Sequence, residues 1–439
     1  MIIPTAEASP VTVREMVGTL PNGPEWLNTL RASAQDRFAE IGFPTRRDEE
    51  WRVTPIAPIV ETPFQNVPGR MTAAELQPFT YAGLTGSQLV FVNGRYQADL
   101  SRVEALPQGV TVGTLADALA LGNPLVEANL GRYAHFRSQA FVALNTAALS
   151  DGAFIHVPRN VVVEEPIHLL FVTTADGQAI VSHPRTLLLA DENSQVTVLE
   201  SYAGPAGQTY LTNAVTEVVM GANAVVDHYK VQQESLNAYH VATLQVRLVQ
   251  GCSFSSHSIG LGGAIVRNDA NAVLDGEHGE CTLNGLYRAN GRQIVDNHTS
   301  IDHAMPHCNS HEIYKGILDG HSRGIFNGKI FVREDAQKTD AKQTNKTLLL
   351  SNDAQINTKP QLEIFADDVR CTHGATIGQL SADALFYLRA RGIPETQARD
   401  LLIYAFAADI ASRVKVEAVR NYLDNALLAE RALDGLADE

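Results

Sequence analysis

From about Gly152 onward, roughly 220 residues run as short β-branched and aromatic stretches punctuated by Gly, Asn and Asp, with no helical periodicity among them. Val161 to Val163, His168 to Thr173, Thr186 to Leu189, Val196 to Tyr202, Val215 to Met220 and Val225 to Val231 open the series; Ile325 to Val332, Leu348 to Leu350 and Leu362 to Phe365 close it. New runs start every ~10 to 20 residues, which is too many strands for a single sandwich. A stack of coils has no such limit, because each coil buries its inner face against the next. A propeller would need a signature recurring at ~40 residues, and none is present. The pattern therefore predicts a mostly β chain with a β-helix over residues 151–378.

The flanks read differently. Residues 1–150 predict a helical and mixed cap or docking domain. Its helix from Pro24 to Ile41 carries Trp26, Leu27, Leu30, Ala34, Phe38 and Ile41 at spacings of three and four. Leu89 to Val92 predicts a strand ended by an Asn93-Gly94 turn, and Leu115 to Leu130 a further helix. Residues 379–439 predict three helices. Ser381 is placed to cap the first, with Leu380 and Leu385 as a hydrophobic staple, and Gly392 and Pro394 stop it. The second presents Ala398, Leu401, Leu402 and Ala405 on one face, and the third Val416, Val419, Leu423 and Leu427.

With 34 Lys and Arg against 49 Asp and Glu, the net charge of -15 opposes binding to nucleic acid or to anionic lipid surfaces. No apolar run approaches the ~18 residues of a membrane span. The opening MIIPTAEASPVTVREM lacks the features of a secretory or transit signal, so a cytoplasmic location is expected. There Cys252, Cys281, Cys308 and Cys371, which include no CxxC pair, are expected as free thiols.

His303, His307, Cys308 and His311, flanked by Asp302 and Glu312, form the densest group of potential metal ligands. In a strand-and-turn region successive residues point to opposite sides, so at most two or three of them can meet. A zinc site, a transient metal or sulfide role, and plain polar turn residues all stay open. Cys371-Thr372-His373 places a thiol and an imidazole on one side of an extended strand, where a neighbouring imidazolium favours the thiolate and a soft ligand pair results. No third orienting group is evident for a cysteine nucleophile. Gly316, Gly320, Gly324 and Gly328 form no phosphate-cradling loop and read as coil corners. Lys338, Lys342 and Lys346 read as a solvated rim.

The block from Tyr314 to Gln379, beginning YKGILDGHSRGIFNGKIFV and ending RCTHGATIGQL, resembles the core signature of the SufB and SufD family of iron-sulfur cluster assembly proteins. The likeness continues through DALFYLRARGIP and reaches back to PTRRDEEWRVTPI at Pro44 to Ile56. It implies a right-handed parallel β-helix between helical end domains. It also implies a non-catalytic scaffold subunit that pairs with a SufB partner and docks the SufC ATPase, where hydrolysis would reside. Gly374, where SufB-type chains usually carry Glu, and the EEW segment place the resemblance nearer the SufD branch.

By that resemblance His373, and with it Cys371, contributes at the interface where a nascent cluster sits transiently, with no tightly bound cofactor. Leu385, Phe386, Leu388, Arg391, Gly392, Ile393 and Ala398 fall in the SufC-docking region. An isolated chain could form a homodimer through the surface meant for SufB. The alternatives are a SufB-like scaffold acting as a homodimer, a purely structural homodimeric solenoid, or a polysaccharide-active β-helix protein, which would need paired carboxylates or a calcium site in an exposed groove.

Overall fold

A computed structural model describes residues 10–175 and 177–429. The β-branched runs form coils of about 30 residues, each giving one strand to each of two facing sheets. In the first sheet Gln195, Val225, Ser253, Glu280, Asn309, Asp340 and Arg370 stand in successive parallel register. In the second, Leu211, Tyr239, Ile265, Ile294, Arg323 and Gln355 do the same. The result is a parallel β-helix flanked by N-terminal and C-terminal helices, as the strand pattern predicts.

Alternation along each strand decides what faces inward. Val196, Val198, Val226, Phe254, Cys281 and Leu283 of the first sheet meet Ala214, Val218, Val246, Ala272, Leu274 and Ile301 of the second in one continuous apolar core. Coil corners need a residue in the left-handed region, and Asn160, Asn193 and Asn223 supply it, their amides bonded from coil to coil. Of the four glycines expected at corners, only Gly320 sits in such a turn, at φ 59°. Gly316 and Gly328 lie inside strands and make room for neighbours: a Cβ at Gly316 would stand 2.4 Å from the Tyr287 ring, and one at Gly328 2.3 Å from the Gln343 amide.

The predicted N-terminal helix is Glu25–Ile41, burying Leu27, Arg31, Ala34 and Phe38. Phe38 and Phe43 pack with Phe141 and Leu144 of the helix Ala140–Ala147 and with Leu211 and Val241 on the outer face of the second sheet. The single helix expected over Leu115 to Leu130 is instead two, Leu115–Ala120 and Pro124–Asn129. Gly122 turns to φ 64° between them, and Asn123 Oδ1 accepts from Leu125 N to start the second. Strand Gln88–Val92 turns through Asn93-Gly94 into Arg95–Tyr96 and pairs in parallel with Ile167–Val172, so the first sheet already contains a strand from the N-terminal segment. A fully buried Arg185–Glu217 pair at 2.5 Å secures the loop beside it, since Glu217 also accepts from the backbone N–H of Gly131, Tyr133 and Ala134.

Three helices end the described chain: Ala382–Arg389, Glu395–Ala411 and Glu417–Ala429. Ser381 caps the first, its Oγ accepting from Ala384 N. Of the face expected on the second, only Ala398 is buried. Leu401 is exposed, while Ala398, Ala407, Ile410 and Ala411 are buried, because the helix lies back along the β-helix. Ala407 and Ile410, with Val419 and Leu423 of the third helix, cover Leu199, Tyr229, Val231, Ile259, Leu286 and Ile317 on the outer face of the first sheet. Lys315 pins this arrangement through Asp409 at 2.7 Å and the Phe406 carbonyl at 2.9 Å. Among the described residues no helix is long and apolar enough to cross a membrane.

Candidate functional site

Because the C-terminal helices fold back over a flank, they leave the end of the β-helix uncovered. Among the described residues the last strands, Gln355–Ile364 and Arg370–Gly378, each pair with one neighbour only. Their far edges offer free backbone donors and acceptors. Ile364, Phe365 and Ile377 are exposed there, in contrast to the buried apolar side chains of earlier coils.

In this terminal strand Cys371 stands beside Ala341 and His373 beside Gln343, both on the inward side of the pleat. Cys371 is half-buried against Ile330, Val332 and Ala341. Burial pushes its thiol up, only partly opposed by the Ala341 backbone, so the pair is not preset as a thiolate nucleophile. Chemically, a sulfur and an imidazole nitrogen on one side of an open edge are of a kind that can bind a soft metal ion. Behind His373 in the same column lie Gln343 and Glu312. Gln343 Nε2 donates to Glu312 Oε2 at 2.8 Å, and burial, opposed by Thr299 and Gln343, lifts the Glu312 carboxyl to about 7. Among the described residues Gln343 Oε1 has no hydrogen-bond partner, and a polar lane inside the coils leads up to His373.

The cluster of His303, His307, Cys308 and His311 is not brought together. His303 faces inward, bonded through Nε2 to Ser310 Oγ at 2.9 Å, and burial lowers it to about 4. Cys308 is buried and donates to the Gly276 carbonyl at 3.2 Å. His307 sits on an exposed corner at φ 61°, and His311 is exposed on the outer face. Strand alternation and a corner disperse them to three sides of the coil. Among the described residues no group of three or more His, Cys, Asp or Glu is arranged to hold a metal ion.

Helix Ala382–Arg389 buries none of its residues. Phe386 is 75% exposed, Leu385 and Leu388 are half-buried, and the Arg391 guanidinium lies over the Tyr387 ring at 3.5 Å. Gly392 turns the chain at φ 85° past half-buried Ile393, and Ala398 is buried within the terminal helices.

The structure also gives the EEW segment a place that sequence reading did not find. Arg267 donates to the Glu50 carbonyl and to Asp296 Oδ2, both at 2.7 Å, and its guanidinium covers the Trp51 ring at 4.5 Å. His298 bridges Glu50 and Asp296 at 3.0 Å each. Burial alone would lower His298, but Asp296 and Glu50 outweigh it and hold the imidazolium up to about 9. Glu49 reaches Lys359 at 2.7 Å. The segment thus straps four successive coils, since Asp269, His298, Asn327 and Lys359 are register neighbours. The available signal was a recurrence of polar residues one coil apart.

Comparison with known proteins adds sequence kinship to this geometry. Residues 171–406 match the profile described as "SUF system FeS cluster assembly, SufBD core domain", and residues 20–169 that of the "SufBD protein N-terminal region". A SufBD family protein of iron-sulfur cluster assembly from Synechocystis is 34% identical over 403 residues, covering 90% of this chain and 88% of that protein. The iron-sulfur cluster assembly protein SufD of Escherichia coli is 31% identical over 386 residues, 88% of each chain. SufD of Bacillus subtilis is 30% identical over 285 residues, 64% of each chain.

Proposed function

Since the chain belongs to the SufB and SufD family of iron-sulfur cluster assembly proteins, and is of the SufD type, we propose that it is a non-catalytic scaffold subunit working in the cytoplasm. Its open β-helix end pairs with a SufB-type chain, and its free C-terminal helix docks a SufC-type ATPase. The nascent cluster is cargo at that junction, where Cys371 and His373 supply soft ligands on this side.

The observation that carries this reading is the uncovered last coil, with Cys371 and His373 side by side at its edge. An unpaired edge with exposed Ile364, Phe365 and Ile377 invites another chain, and a paralogous coil end offers matching strands. The exposed Phe386 supports a second, separate contact on the helix that packs least against the body. When the chain is alone, the same edge can pair with its own copy about a two-fold axis.

Co-expression with the SufB-type and SufC-type chains of the same organism, followed by anaerobic reconstitution and visible absorption, tests this. A complex with thiolate-to-iron bands is expected. His373→Ala should keep the complex and weaken the bands. A chain that purifies alone, or a His373→Ala complex that reconstitutes like its parent, overturns the scaffold or the ligand assignment respectively.

A further inference from the structure

One corner column of the β-helix carries residues that its backbone does not call for. In successive coils the left-handed position is filled by Asn160, Asn193, Asn223, Gly251, His278, His307 and Lys338. Asn and Gly meet the conformational need with least strain. At His278 and His307, φ 61° in both cases, the chain instead sets two imidazoles on neighbouring coils. Their rings lie face to face with centroids 5.1 Å apart and planes 23° from parallel, and both side chains are exposed.

That spacing suits shared coordination. A tetrahedral ion held at about 2.0–2.1 Å by one nitrogen of each imidazole places the two ring centres about 5 Å apart. Exposed rings need only rotate about their side-chain torsions to aim a nitrogen each at a common point. The Glu277 carboxylate, 3.9 Å from His278 Nε2, adds negative charge, and the next residue in the column, Lys338, is paired with Asp368.

We propose that His278 and His307 form a two-imidazole binding site for a borderline divalent transition metal ion, Zn2+, Ni2+ or Cu2+, with water in the remaining positions. The site joins two adjacent coils and lies two strands before the last one of its sheet, apart from Cys371 and His373. Imidazole nitrogen selects these ions over Mg2+ and Ca2+, which require oxygen ligands, and Cu2+ should bind most tightly.

Calorimetric titration of the full chain with Cu2+, Ni2+, Zn2+ and Mg2+ tests the site. His278→Asn and His307→Asn are the informative variants, because asparagine already holds this corner in three other coils. One Cu2+ or Ni2+ per chain is expected, weakened about tenfold or more in each single variant, while circular dichroism stays unchanged. Binding of undiminished affinity in either variant overturns the proposal. So does a parent chain that binds none of these ions, or binding removed only by Cys371→Ser or His373→Ala.

Discussion

Replacing His298 with Gln should remove a pH dependence of stability that its pairing with Asp296 and, to a lesser degree, Glu50 introduces. In the folded chain His298 is held up to about 9 by Asp296 and Glu50 against its own burial, whereas in the unfolded chain it returns to about 6.5. A raised histidine contributes fully below its unfolded value, where both states are protonated. The contribution then falls as pH rises toward 9, because the folded chain keeps a proton that the unfolded chain has released. The difference of about 2.5 pH units corresponds to about 3 kcal/mol. Urea unfolding, followed by Trp51 fluorescence in a Trp26→Phe background, should show the parent more stable than His298→Gln by about that amount near pH 6. The gap should close by about pH 9.5. Lys230, lowered to about 8 by burial, titrates in the opposite sense, but it is common to both chains and cancels in the difference. A gap that stays constant across this range would mean that His298 acts by packing alone, and would refute the electrostatic account.

Other substitutions probe the remaining layers. Glu217→Ala strands the buried Arg185 and three backbone N–H groups, so chemical denaturation should show a loss of about 3–5 kcal/mol. Gly285→Ala sets a Cβ 2.2 Å from the Tyr314 ring and should cost about 1–3 kcal/mol by the same assay. Gly374→Ala, with nothing within 4 Å of its Cβ, should change stability by less than about 0.5 kcal/mol. Phe386→Ala should leave the melting temperature of the isolated chain unchanged, while surface plasmon resonance shows about tenfold or more weaker capture of the SufC-type partner.

Much of the fold was legible because a β-helix writes its rule locally. An inner lane such as Val196 and Val198 is apolar at alternate positions, and the early corners Asn160, Asn193, Asn223 and Gly251 are Asn or Gly. Helix Glu25–Ile41 was legible for a similar reason, since Leu27, Ala34 and Phe38 mark one stripe. The helix Glu395–Ala411 misled because apolar residues surround it: Leu401 and Ile410 are equally apolar, and only the surface it rests on decides which is buried. The break at Gly122 and Pro124 was readable in principle, but the apolar residues on either side suggested one continuous helix.

The candidate site divides along the same line. That Cys371 and His373 share a side follows from a two-residue spacing once the segment is extended. That their strand is the last one does not, because residues 355–378 read like the runs before them; it becomes an end only when the following chain turns back to lie on Leu286 and Ile317. Grouping ligands by nearness in sequence collected His303, His307, Cys308 and His311, which the coil scatters, and passed over His278, which the coil sets against His307. The same blindness hid Glu50 from His298 and Glu49 from Lys359. In a stack of coils the lateral neighbour of a residue lies one coil away, and the coils differ in length. Constellations that cross coils therefore emerge from the strand register, whereas those within one strand can be read directly from the chain.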